Sequence, residues 1–204
     1  MKSQIPSLEF SHFPVMLSEV IKVSTPSKGG FFVDCTFGGG GYSSEFLKFS
    51  RTKVVGIDRD PSVISIAKKI EKKFKTRFKF YQSKFSQIDT IIQDHVDTII
   101  FDLGVSSIQL NNLSRGFSFR SKDKLDMRMG LSNLSAQDAV NKLSETQLKL
   151  IIKILGEEKE ASKIAKNIVK ARSKKTITQV SELVKIGGFR VVERTRIDDI
   201  ESLI

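Results

Sequence analysis

The chain has 204 residues, of which 39% are apolar; 34 are Lys or Arg and 23 are Asp or Glu, giving a formal net charge of +11 and a pI near 9.7. This apolar content excludes a wholly disordered chain, and no run approaches the roughly 18 apolar residues of a membrane span. One cysteine, Cys35, excludes an internal disulfide framework, and with only His12 and His95 beside it no His/Cys zinc site is expected.

The first half alternates strands with helices. Phe31 to Phe37 (FFVDCTF) reads as a buried strand that runs straight into Gly38–Gly41. A helix is predicted from about Ser43 to Phe49, and a second strand over Lys53 to Asp58. Asp60 offers an N-cap and Pro61 a first-turn residue for a helix carrying Val63, Ile66, Ala67, Ile70 and Phe74 on one face. Phe78 to Ser83 and Asp97 to Leu103 read as third and fourth strands. Strands separated by helix-length segments imply βαβ units and a parallel sheet, hence an α/β fold.

Residues 105 to 130 are polar, without a clear period, and are predicted as an ordered loop. From Ser135 the chain reads as helical. Ser144 and Gln147 form a capping box before LKLIIKIL, and Gly156 ends that helix. The next helix places Ala161, Ile164, Ala165, Ile168 and Val169 on one face and Lys159, Lys163, Lys166 and Lys170 on another. Between Lys149 and Lys175 nine basic residues face three acidic ones. This face is either solvated or turned toward phosphates, and the basic excess favours RNA or DNA before a membrane surface. Gly187 and Gly188 break the last helix, and Phe189 to Val192 is a candidate short strand.

The strongest local signal is strand–GGGG–helix. The glycines permit a sharp turn or close approach of a ligand, and a helix N-terminus offers N–H groups to an anion. The segment is not GxGxxG, because Ser43 or Ser44 occupies the last glycine position, and no GK[ST] follows. Asp58 ends the second strand, 17 residues after Gly41. A carboxylate there either accepts hydrogen bonds from both hydroxyls of a ribose or serves the turn before Asp60-Pro61. Asp102 ends the fourth strand in FDLGVSS, at the carboxyl edge where such sheets bind ligands. It either orients an amine or caps the turn.

DCTFGGGGYSS, GIDRDP, DLGVSSIQL, RGFSF, LDMRM and GEEKEASKIAKNIVKAR follow one another in this order, after an opening HFPVMLSEV. Together they resemble the bacterial S-adenosylmethionine-dependent methyltransferases that modify N4 of a cytosine in small-subunit (16S) ribosomal RNA. The resemblance runs from about His12 to Ile186. It implies a Rossmann-like class I methyltransferase core, its parallel sheet incomplete here, with an inserted helical domain. The division it suggests is 1–110 for the core, 111–186 for an inserted loop and helical substrate domain, and 187–204 for an atypical tail. Family members continue well past the position of Ile186. The chain is therefore expected to be truncated, with its fourth strand left as an exposed edge or paired with one short strand.

The resemblance also assigns sites. Gly40, Gly41 and Tyr42 would line the methionine end of S-adenosylmethionine, Asp58 would hold the ribose, Phe85 would pack near adenine, and Asp102 and Gln109 would close the pocket. Tyr42 stands where histidine is frequent, and Leu155 where tyrosine is usual. Asp102 is the candidate group for the exocyclic N4. Phe117 and Phe119 are either base-stacking platforms or core anchors. Arg115, Arg120, Arg128, Lys163, Lys166 and Lys170 are candidates for phosphates, and His12 for approach to the pocket. The expected partner is small-subunit ribosomal RNA or the small ribosomal subunit, in the cytoplasm, with no membrane and no metal. Two functions follow: an active rRNA methyltransferase, or a remnant that binds RNA or cofactor without turnover.

Overall fold

The computed structural model describes residues 14–188. They divide into two compact units: residues up to 111 together with 128–133, and residues 112–127 together with 134 onward. Residues 128–133, placed with the insert by the sequence reading, thus return to the first unit.

The first unit is built on a parallel sheet of β1 (Gly30–Asp34), β2 (Thr52–Asp58), β3 (Phe78–Gln82) and β4 (Thr98–Ile100), in the order β3-β2-β1-β4. Its strands read as continuous apolar runs because helices cover both faces. Phe32, Val54, Phe78 and Ile100 face one side, with Phe46 and Leu47 of α2 (Gly41–Leu47), Ala67 and Ile70 of α3 (Ile64–Phe74), and Leu17, Val20 and Ile21 of α1 (Leu17–Ser24). Val33, Cys35, Val55 and Ile57 face the other, against Ile88 and Ile91 of α4 (Ile88–Ile91). Phe32 and Phe46 stack with centroids 4.5 Å apart. Arg77 donates to the carbonyls of Leu47, Phe49 and Thr52, satisfying the orphan acceptors that follow α2.

Two strands are shorter than the sequence predicts, for one reason. β1 ends at Asp34, opposite Ile100, and the chain then turns into the glycine loop. After Cys35 N–H donates to the Ile100 carbonyl, β1 no longer offers β4 a partner, so neither runs on to Phe37 or Leu103. Among the described residues β4 pairs with β1 alone, and Ile99, Phe101 and Leu103 beside this edge are 46%, 47% and 71% exposed. The predicted loop at 105–130 contains a helix, α5 (Ser107–Asn111), and a 3-10 turn at Leu113–Arg115. Both are too short for periodicity to register.

The second unit packs α6 (Ala136–Lys142), α7 (Glu145–Ile154), α8 (Ala161–Arg172) and α9 (Val180–Gly187) around Leu125, Val140, Leu148, Ile164, Ala165, Ile168, Ile177 and Val180. The capping box at Ser144 and Gln147 forms as predicted, and a second one stands at Ser135 and Asp138. The 112–127 segment is stitched in by Leu125 N–H to the Thr178 carbonyl and Gln137 N–H to the Leu125 carbonyl. Leu125 of LDMRM is thereby a core residue. α9 ends on Gly188 at φ 71°, a left-handed C-cap that glycine adopts without strain. The candidate strand at 189–192 and most of the 187–204 tail lie outside the described residues, as does His12. No helix among the described residues is long and apolar enough to cross a membrane.

Candidate functional site

Three loops leave the carboxyl edge of the sheet, after β1, β2 and β4, and side chains bind them to one another. Asp58, half-buried at the end of β2, accepts the Gly38 N–H at 2.8 Å and the Asp60 N–H at 2.9 Å. Burial holds its carboxyl above the usual range, against the pull of those N–H donors. Asp34, fully buried at the end of β1, accepts the Ser43 hydroxyl at 2.8 Å and the Thr36 N–H at 3.4 Å. Loss of solvation pushes it up to about 6. Thr36 Oγ1 accepts the Asp102 N–H at 2.8 Å, tying the end of β4 to the loop after β1. Asp102 itself is exposed.

The glycine loop does less for a ligand, and more for packing, than its sequence suggests. Gly40 has φ 74°, and a Cβ there would lie 2.8 Å from Ile70 and 2.9 Å from Phe37. A Cβ on Gly41 would lie 2.4 Å from the Pro14 ring. These two glycines are required by the protein interior. Gly39 differs: a Cβ there would meet nothing within 4 Å, so this is where the loop offers open backbone. α2 has seven residues and its first turn lies under Pro14, so the anion-binding reading of its N-terminus is not supported.

Tyr42 is buried in the core, and its hydroxyl donates to the Val15 carbonyl. Burial, with the Asp102 and Asp34 charges added, raises its phenol. Burial also pushes the Cys35 thiol up to about 11. Phe85 is 42% exposed and meets Phe101 edge to face at 5.5 Å. Gln109 is buried in α5: its Oε1 accepts the Ser106 N–H at 3.0 Å and its Nε2 donates to Asp60 Oδ2 at 2.8 Å. Asp58, Asp102, Gln109 and the glycine loop are thus brought to one sheet edge. Thr36, Asp34, Ser43 and the Asp60–Gln109 bond were not found by sequence reasoning as parts of this site. Asp60 was legible only as a cap, a role it fills by accepting the Ser62 N–H at 3.0 Å.

In the second unit Phe119 is 68% exposed, while Phe117 is half-buried with the Arg115 guanidinium 5.6 Å from its ring centroid. Lys163, Lys166 and Lys170 are exposed on α8, with Lys163 3.2 Å from Glu160. Lys170 and Lys174 flank a shallow cleft of about 330 Å³ floored by Ala171 and Ile186.

The pattern that defines the MraW methylase family matches residues 9–196. The chain belongs to this family. It is 44% identical over 177 residues to the ribosomal RNA small subunit methyltransferase H of Orientia tsutsugamushi strain Ikeda, covering 86% of this chain and 57% of that protein. The protein of the same name from Rickettsia akari is 43% identical over 185 residues, covering 88% of this chain and 60% of that one. That of Maricaulis maris is 42% identical over 179 residues, covering 86% and 54%. The chain spans somewhat more than half the length of these family members. The α/β architecture with a parallel sheet and the recognised motifs agree with a methylase core of this family.

Proposed function

We propose that the chain binds S-adenosylmethionine at the carboxyl edge of its sheet and methylates N4 of a cytosine in small-subunit ribosomal RNA, as a cytoplasmic enzyme. The observation that carries the reading is the state of Asp58. Its carboxylate is half-buried and immobilised by two backbone N–H groups. A carboxylate offers about four acceptor positions, so capacity remains for a vicinal diol. Open backbone at Gly39 beside it suits a ligand lying across the loop. Family membership supplies the chemical class.

In this reading Asp58 takes the ribose hydroxyls, and the loop carrying Gly40, Gly41 and Tyr42 borders the methionine end. Phe85 supplies an apolar face for adenine, and Asp102 and Gln109 close the rim. When bound, S-adenosylmethionine supplies an electrophilic methyl group on a sulfonium. The protein's share is mainly positioning, because the cytosine N4 lone pair is delocalised into the ring and attacks only when held in line. Asp102 accepts a hydrogen bond from the exocyclic amine and takes up charge as it develops. Thr36 fixes the backbone of that residue. The target base must be unstacked, for which the exposed Phe119 is the better platform and Phe117, under Arg115, the poorer one. Lys163, Lys166, Lys170 and Arg115 meet phosphates.

Transfer of labelled methyl groups to small ribosomal subunits tests the proposal, with Asp102→Ala as the control. Transfer reduced ~100-fold or more with cofactor binding retained is the expected result. Unchanged transfer would remove Asp102 from the chemistry. Cofactor binding without any transfer by the unsubstituted chain would favour the non-catalytic reading.

A further inference from the structure

We infer that Asp60 and Gln109 are a positioning pair that sets cofactor affinity, acting through their mutual hydrogen bond; the inference rests on the cofactor reading above. Three side-chain bonds connect the three loops of the sheet edge. Gly38 N–H to Asp58 Oδ2, at 2.8 Å, joins the loops after β1 and β2. Asp102 N–H to Thr36 Oγ1, at 2.8 Å, joins those after β4 and β1. Both link loops of neighbouring strands. Gln109 Nε2 to Asp60 Oδ2, at 2.8 Å, is different. It joins the loops after β4 and β2, strands that lie on either side of β1, and so closes the ring across the middle strand.

The bond is built to be rigid. Asp60 is 1% and Gln109 6% exposed. The other carboxylate oxygen of Asp60 accepts the Ser62 N–H, and the amide oxygen of Gln109 accepts the Ser106 N–H. Each side chain is thereby locked from both ends. The element it anchors needs this help. α5 has five residues, far below the length at which a helix holds itself, and residues 101–105 before it are all exposed. Asp58 and Asp102, which the cofactor reading requires at a set separation, lie on the two loops that this bond joins. Gln109 closes the rim in this account by holding its loop to Asp60, and need not touch the cofactor to do so.

A reciprocal exchange separates this role from direct contact. In Asp60→Asn an N–H must face either Ser62 N–H or Gln109 Nε2, whichever way the amide turns. In the double variant Asp60→Asn/Gln109→Glu the bond re-forms in reverse, amide N–H to carboxylate, while oxygens still face Ser62 and Ser106. The experiment is calorimetric titration of the full chain with S-adenosylmethionine, with thermal unfolding of each variant recorded alongside. Asp60→Asn and Gln109→Met are each expected to weaken binding tenfold or more, and the double variant to return within about threefold of the unsubstituted chain. Failure of the double variant to recover, in a chain that melts normally, overturns the inference, as does normal binding by Gln109→Met. Absence of binding by the unsubstituted chain overturns the cofactor reading and this inference together.

Discussion

The two units use their acidic residues in opposite ways. In the sheet unit Asp34 and Asp58 are withdrawn from solvent to organise loops, and burial raises both. In the helical unit Asp138 and Glu182 sit at the surface as helix caps. Asp138 is held far below the usual carboxylate range, by Lys142 first and then Ser135. Glu182 is lowered to about 2 by Lys175 and by the Thr178 and Gln179 N–H groups. The helical unit spends its carboxylates on stability. The sheet unit accepts a desolvation cost to arrange a loop edge, which is the pattern expected where geometry serves binding.

The contrast predicts opposite responses to acid. Asp34 binds its proton more tightly in the folded chain, with its value raised from 3.8 to about 6. Its contribution to stability is therefore fullest below about pH 4 and is lost as pH rises through about 6. At ~1.4 kcal/mol per tenfold change in proton affinity, the loss is about 3 kcal/mol. Asp34→Asn should raise sheet-unit stability at pH 8 and flatten its dependence between pH 4 and 7. The protein reports this unit by itself: it has no Trp, and its two tyrosines, Tyr42 and Tyr81, both lie there. Tyrosine-detected urea unfolding that is as steeply pH-dependent in the variant as in the parent would break the comparison.

A smaller effect of the other sign belongs to Glu182. Its folded value lies below its unfolded one, so its contribution is present above about pH 4.5 and is lost as pH falls through about 2. Glu182→Gln should cost about 1 kcal/mol at neutral pH, the usual worth of a cap. Circular dichroism should register the loss in the helical unit while the tyrosine transition stays in place. A shifted tyrosine transition would show that the units do not respond separately.

What the sequence made legible follows the same division. The parallel strands could be read because burial on both faces leaves few polar interruptions, as in KVVGID. The caps at Ser144 and Asp60 could be read because they span three or four residues. Strand ends could not, since β4 stops where β1 turns away, a fact located 66 residues upstream. The Asp60–Gln109 bond spans 49 residues and leaves no local pattern. The glycine run was read as ligand contact, yet Gly40 and Gly41 answer to Phe37, Ile70 and Pro14, neighbours that only the folded chain supplies. The two readings left open for RGFSF divide as well, with Phe119 exposed and Phe117 half-buried.

The central claim is that the sheet edge is a cofactor site organised around Asp58. Its most direct test is calorimetric titration of the full chain with S-adenosylmethionine, beside Asp58→Ala. The account predicts saturable one-to-one binding that weakens by ~100-fold or more in the variant, the loss of two charge-assisted hydrogen bonds to a diol. Equal binding by a folded Asp58→Ala chain, or none by the folded parent, would contradict it.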